Sequence, residues 1–228
     1  MSGAAAADGP PACPLCAGTA SAPIDCDGRL YFRCAGCGLV HLDPALRVDA
    51  ATERAEYALH RNDPQDAGYR RFLSRAFDEV RARFAPPARG LDFGCGPGPA
   101  LVAMAREAGF GMDAFDPFFA PDTSVFARRY DFITCTEVAE HLFAPRVELD
   151  RLWGLLRPGG ALVIQTRRVL DDTRFRTWNY RRDPTHVVFF ADASFGWLAA
   201  RWGARLSLPG PDVAVLVKPD GPDSRENG

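Results

Sequence analysis

The chain has 228 residues, of which 25% are charged and 47% apolar, and a formal net charge of −2. That length suits one sizeable α/β core with a small appendage, and the near-neutral charge argues against a protein built to coat nucleic acid. No apolar run approaches the ~18 residues of a membrane-spanning helix, and no charged segment followed by an apolar one opens the chain, so a cytoplasmic location without a membrane partner is expected.

Residues 1–11 are rich in Ala, Gly and Pro and read as a disordered tail, as does the polar stretch 219–228. Cys13-Pro-Leu-Cys16 and Cys34-Ala-Gly-Cys37 then form two knuckles at the spacing of structural zinc sites. Seven cysteines in a cytosolic chain point to metal or catalysis rather than disulfides. Four thiolates would fill a tetrahedral zinc and leave no open position, so the metal is expected to be structural. A redox dithiol and an iron–sulfur site are the alternatives. Leu30–Arg33 reads as a short strand leading into the second knuckle, giving a zinc ribbon over 12–45 with too little core to fold without metal. Cys26, Cys95 and Cys135 stand outside it.

A linker with one irregular helix is expected over 46–68. Tyr69, Phe72, Leu73, Ala76, Phe77, Val80 and Phe84 then recur at helical spacing, and Pro86-Pro87 ends that helix. Residues 91–98 read Leu-Asp-Phe-Gly-Cys-Gly-Pro-Gly: a strand end, a glycine turn and, from Pro99, a helix closed by Gly109. Such a loop brings backbone amides close to a ligand. Asp92 beside it would hydrogen-bond an ammonium group and repel a pyrophosphate, so an amino-acid-bearing nucleoside such as S-adenosylmethionine fits better than a dinucleotide. Asp92, Phe93, Gly94, Cys95, Gly96 and Gly98 are the candidate contacts. A second strand, 112–115, delivers Asp116 and Pro117, the carboxylate being placed to grip ribose hydroxyls.

Too few residues separate Asp116 from the next strand, 131–136, for a helix and a third strand, so one edge strand is expected to be missing and the adenine-reading loop shortened. Glu137, Glu140 and His141 follow and would share one face if helical. With His186 downstream they are candidates for acid–base work (Glu137, His141, His186) or for holding a hard divalent cation. The insert 167–182 carries six arginines among Phe175, Trp178 and Tyr180; it reads either as a cover on the substrate pocket suited to an anionic group or as a solvated loop. Asp192 is expected to cap a helix that Gly203 ends, and Val213, Val215 and Val217 alternate as a last strand.

Leu91–Gly98, Asp116-Pro117, the stretch from Tyr130 to Leu142 and Leu156–Ile164 together resemble class I S-adenosylmethionine-dependent methyltransferases. That resemblance implies a doubly wound, mostly parallel, Rossmann-like α/β sheet of the seven-stranded type, short of one edge strand, over 69–218. The cysteine module resembles zinc ribbons that precede bacterial methyltransferase domains, including sugar C-methyltransferases and a ribosomal-RNA guanine methyltransferase. Glu137-x-x-Glu140-His141 with His186 is similar to the motif of small-RNA 2′-O-methyltransferases and ubiquinone-pathway O-methyltransferases, which implies Mg²⁺ or Mn²⁺ at these four residues. Metal-free members also carry Glu-Val-x-Glu-His, with the first Glu approaching the cofactor and the His packing locally, which implies Glu137 as a further cofactor contact. The function implied is methyl transfer to a nucleophilic atom, oxygen foremost, of a small anionic or glycosylated metabolite. RNA methylation and a non-catalytic binding module are the alternatives, and nothing here fixes the oligomeric state.

Overall fold

The computed structural model describes residues 9–59 and 62–221, so most of both expected tails lies outside the described residues. In chain order the elements are β1 (Ile24–Cys26), β2 (Arg29–Arg33), β3 (Val40–Leu42), α1 (Ala50–Tyr57), α2 (Ala67–Arg81), β4 (Arg89–Phe93), α3 (Ala100–Glu107) and β5 (Gly111–Phe115). They continue with β6 (Tyr130–Thr136), α4 (Pro145–Leu155), β7 (Leu156–Gln165), α5 (Asp172–Thr177), β8 (Val188–Phe189), α6 (Asp192–Trp202), β9 (Arg205–Ser207) and β10 (Val213–Val217).

Six strands make the larger sheet, in the order β5-β4-β6-β7-β10-β9. β5, β4, β6 and β7 run parallel, while β10 is antiparallel to β7 and β9 antiparallel to β10. Between β5 and β6 the chain holds only loops and a 3-10 segment, Thr123–Ala127, which leaves β5 at the edge. The expected loss of one strand is therefore seen.

Strand residues alternate between two cores. Phe132, Ala161, Val163, Val213 and Val215 pack with α2 and α3. Ile133, Cys135, Leu162, Ile164, Ala214 and Leu216 face α4 and α6. With both faces covered, Ala161–Ile164 of β7 and all of β10 are continuous apolar runs. On α2 the buried stripe is Leu73, Ala76, Phe77 and Val80, and the Asp66 side chain accepts from Tyr69 N to cap it. Asp192 does not cap α6. It is the first residue of that helix and pairs with Arg168 at 2.6 Å. Ser194 Oγ serves the helix start instead, accepting from Ala191 N at 3.1 Å and donating to Cys37 O at 2.9 Å. Gly203, left-handed at φ 63, ends the helix as expected.

The smaller sheet has the order β1-β2-β3-β8. β1 and β2 turn through Asp27 (φ 57) and Gly28 (φ 82), the left-handed pair that a two-residue hairpin needs. β8 comes from the far end of the chain and pairs Val40 with Phe189 and His41 with Val188. A sheet therefore crosses the boundary drawn between residues 12–45 and 69–218. The core crosses it too: Leu15, Tyr31, Leu39 and Leu42 belong to the same cluster as Leu162, Ile164 and Phe189.

Candidate active site

A cavity of about 940 Å³ opens over the carboxyl ends of β4, β5 and β6, where open α/β sheets hold their ligands. Its lining brings Phe93, Gly94, Gly96, Asp116 and Pro117 together with Glu137, His141 and His186. Asp92, Cys95, Gly98 and Glu140 do not line it. Asp92 lies beneath the loop, 2% exposed, and accepts from Thr134 Oγ1 at 2.8 Å; burial pushes its pKa up to about 6. Cys95 is likewise buried, its thiol pushed up to about 12 by burial.

The glycines of the loop serve the protein's own neighbours. Gly94 is left-handed (φ 79), and a Cβ there would sit 2.2 Å from Val138; a Cβ on Gly98 would fall 1.6 Å from Asn62 O. Close approach was expected of a ligand, and these two positions give it to the segment after β6 and to the linker. Asp116, 8% exposed, accepts from Gly96 N at 3.1 Å, Phe118 N at 2.9 Å and Phe119 N at 3.1 Å. It thus locks the glycine loop to the next loop, and Oδ2, with one partner, keeps a lone pair for a hydroxyl donor.

Glu137 is left-handed (φ 52), and a 3-10 turn, Ala139–His141, follows instead of an α-helix. The shared helical face is therefore not formed. Glu140 turns beneath and is fully buried, whereas Glu137 and His141 remain on the cavity wall. Tyr180 Oη joins the two glutamates, donating to Glu140 Oε1 and lying 3.3 Å from Glu137 Oε2. Burial, then the charge of Glu140, pushes Glu137 up to about 8. Burial also raises Glu140, against the pull of His186. Glu137 Oε1 and Glu140 Oε2 are buried without a hydrogen-bond partner among the described residues.

His186 Nδ1 meets Tyr180 O at 2.6 Å and His141 Nδ1 meets Thr185 O at 3.2 Å. A carbonyl only accepts, so each Nδ1 carries a hydrogen, and in the neutral ring the lone pair is then on Nε2. Burial holds His186 below the ordinary imidazole range. One ligand atom each from Glu140, His141 and His186 lies within 4.8 Å of the others, and Glu137 falls outside that group. Tyr57 of α1 packs edge-on against His141, with ring centroids 5.3 Å apart.

Sequence reasoning missed Tyr57, Glu53 and Asn62, which bring the linker into the cavity wall, and Tyr180, which ties the glutamates together. The one local signal was the Glu53–Tyr57 pair at helical spacing, whose hydroxyl–carboxylate bond is 2.8 Å. The arginine insert is not a cover on the cavity; Arg167, Arg174, Arg176 and Arg182 are exposed, as in the solvated-loop reading, while Arg168 and Arg181 turn inward. No residue of 167–182 lines the cavity. Arg168 bonds Asp192 and Val213 O, Arg176 bonds Asp25 O at 2.7 Å, and Arg181 pairs with Asp27 at 2.9 Å. The cavity wall is instead acidic, with Glu53, Asp116, Glu137, Glu148 and Asp183 against Arg151.

In the ribbon, Cys13 Sγ is 3.6 Å from Cys37 Sγ and Cys16 Sγ is 3.3 Å from Cys34 Sγ, with all four within 4.8 Å of one another. A tetrahedral zinc with bonds of ~2.3 Å sets sulfurs ~3.8 Å apart, so the donor set fits. A hydrogen bond from Cys37 draws Cys13 down to about 5 and leaves the shared proton on Cys37. None of the seven cysteines is in a disulfide.

The chain is similar to ubiquinone biosynthesis O-methyltransferases: 32% identical over 88 residues to that of Erwinia tasmaniensis, covering 39% of this chain and 36% of the relative. It is 28% identical over 131 residues to that of Actinobacillus pleuropneumoniae, covering 56% and 54%. The chain thus spans about half or less of the length of these relatives. Among solved structures, a SAM-dependent methyltransferase from Archaeoglobus fulgidus aligns with a TM-score of 0.52 at 14% identity, over 75% of this chain and 100% of that one. The neocarzinostatin-biosynthesis O-methyltransferase NcsB1 aligns with a TM-score of 0.50 at 14% identity, over 76% and 59%. These two likenesses concern the fold. The family model described as a methyltransferase domain matches residues 65–207, from the start of α2 to the end of β9, and with more than half of its length so matched the chain belongs to the methyltransferase domain family.

Proposed function

We propose that this protein transfers a methyl group from S-adenosylmethionine to a hydroxyl oxygen of a small, uncharged or cationic acceptor. The observation that carries the reading is one cavity lined both by the glycine loop and Asp116 and by Glu137, His141 and His186, the last group forming the proposed acceptor end. The O-methyltransferase relatives support oxygen as the acceptor atom. The acidic wall speaks against the anionic acceptor expected from the arginine insert, because Glu53 and Asp183 would repel a carboxylate or phosphate.

S-adenosylmethionine, when bound, supplies an electrophilic methyl on sulfur. Asp116 would hold the ribose, and the cavity's aromatic walls would exclude water. Most of the rate enhancement would come from holding the acceptor oxygen in line with the methyl. The Nε2 atoms of His141 and His186, and Glu137 once it ionises at about 8, are the groups placed to take the hydroxyl proton. In calorimetry, S-adenosylhomocysteine is expected to bind, and Asp116→Ala to weaken it by ~1–3 kcal/mol. Unchanged affinity in that variant would remove Asp116 from the site, and no binding by the wild-type protein would leave a non-catalytic binding module.

A second reading of the acceptor end rests on Glu140, His141 and His186. Both imidazoles are oriented by carbonyls through Nδ1, the arrangement seen behind metal-bound histidines. One carboxylate with two imidazoles suits Mn²⁺ or a later first-row ion better than Mg²⁺. Such an ion would lower the acceptor hydroxyl's pKa. Turnover lost in EDTA and regained with Mn²⁺ would favour it; full turnover in chelator would favour proton transfer to the side chains. Cys13, Cys16, Cys34 and Cys37 would hold a structural zinc, and elemental analysis of the native protein is expected to find one per chain.

A further inference from the structure

The ribbon gives no residue to the cavity, whose lining begins at Glu53, yet it grips the segment that carries the side chains of the acceptor end. Tyr31 Oη donates to Arg181 O at 3.4 Å, and Asp27 accepts from the Arg181 guanidinium at 2.9 Å. Arg29 reaches Pro184 O at 3.4 Å. Leu42 N donates to Val187 O at 2.8 Å, and Val187 N donates to Glu140 O at 2.9 Å, which pins β8 between the ribbon and the Glu140 turn. Tyr180, Asp183 and His186 all lie within the span so held.

The energetics favour a frame. Arg181 is 5% exposed, and its guanidinium is held between Arg176 O, to which Nε donates at 3.1 Å, and the Asp27 carboxylate of the ribbon, so losing the Asp27 charge removes its one ionic anchor and leaves a buried cation uncompensated. Tyr180 precedes Arg181 in the chain, and its own carbonyl orients His186. A displacement at Asp27 thus passes to both the hydroxyl that joins the glutamates and the imidazole on the cavity wall.

We propose that Asp27 and Tyr31 of the ribbon are positioning residues for the acceptor end, holding Tyr180 and His186 in place through Arg181. The term acceptor end rests on the function proposed above; the positioning itself does not depend on it.

The chain has four histidines, so imidazole ¹⁵N–¹H correlation spectra at one fixed pH read the site directly. His41 on β3 reports the ribbon, and His141 and His186 report the site. Asp27→Asn removes the charge but keeps a residue type at ease in the left-handed turn, and Tyr31→Phe removes one hydroxyl. In both variants the His41 signal is expected to stay while those of His141 and His186 move or broaden. Amide exchange is expected to rise across 178–190 and not across 91–98, with the affinity for S-adenosylhomocysteine unchanged. If His41 also moves in Asp27→Asn, the ribbon itself is damaged and the milder Tyr31→Phe decides. Unmoved His141 and His186 signals overturn the proposal. Failure of S-adenosylhomocysteine to bind the wild-type protein would overturn the cofactor reading and leave the positioning to be judged on the spectra.

Discussion

Glu137 is the residue at which backbone, burial and charge meet. Its left-handed backbone turns the chain off β6, and its carboxyl sits beside that of Glu140 under one tyrosine hydroxyl. Burial raises it from 4.5 to about 8, so between those values the folded protein holds a proton that the unfolded chain has released. A group raised in this way stabilises fully below its unfolded pKa, and the contribution is lost as pH climbs through the folded value. Glu137→Gln is therefore expected to flatten the fall in melting temperature across pH 4.5–8, the window of that shift. An unchanged slope in thermal scans would show that the carboxyl is already ionised in the folded protein. None of this was visible in Glu-Val-Ala-Glu-His as letters. A helical reading puts both glutamates on one face, whereas a left-handed φ and a 3-10 turn separate them, and Tyr180 arrives from a distant insert.

Between elements, the informative contact is the one between the glycine loop and the linker. The octet was legible because strand, glycine turn and helix start are all local and follow from residue type. The linker was legible only as a connection, since Glu53, Tyr57 and Asn62 join the cavity through tertiary packing. β8 was hidden for a related reason: Val188 and Phe189 sit in a short apolar run with no period to distinguish strand from core loop. The arginines of 167–182 misled as a pocket cover because charge in an insert says nothing about which surface it meets; here Arg176 and Arg181 meet Asp25 O and Asp27 of the ribbon, and Arg168 meets Asp192 of α6. Gly98→Ala tests the linker contact. Its Cβ would overlap Asn62 O, so the linker must shift, and a loss of ~1–3 kcal/mol is expected in urea denaturation. A variant of wild-type stability would show that the linker yields freely there.

Across the whole molecule, the two sheets share one hydrophobic cluster and exchange a strand, so the ribbon is not an independent bead. Urea unfolding of the metal-loaded protein is expected to give a single transition by both tyrosine/tryptophan fluorescence and far-ultraviolet circular dichroism. Stripping metal from the cysteines should lower that one midpoint rather than split off an early step. Two separated transitions would mean that the β3–β8 pairing contributes little to cooperativity.

The exchange of β8 also bears on the order in which the protein is made. Val40–Leu42 leaves the ribosome well before its partner Val188–Phe189, with the strands β4 to β7 made in between. Until then β3 offers an open strand edge, the kind of surface that invites pairing with another chain. Domains usually fold as they emerge, first part first. Here β3 must wait for β8 to complete its sheet, so a nascent chain stalled before residue 188 should be the form most prone to aggregate.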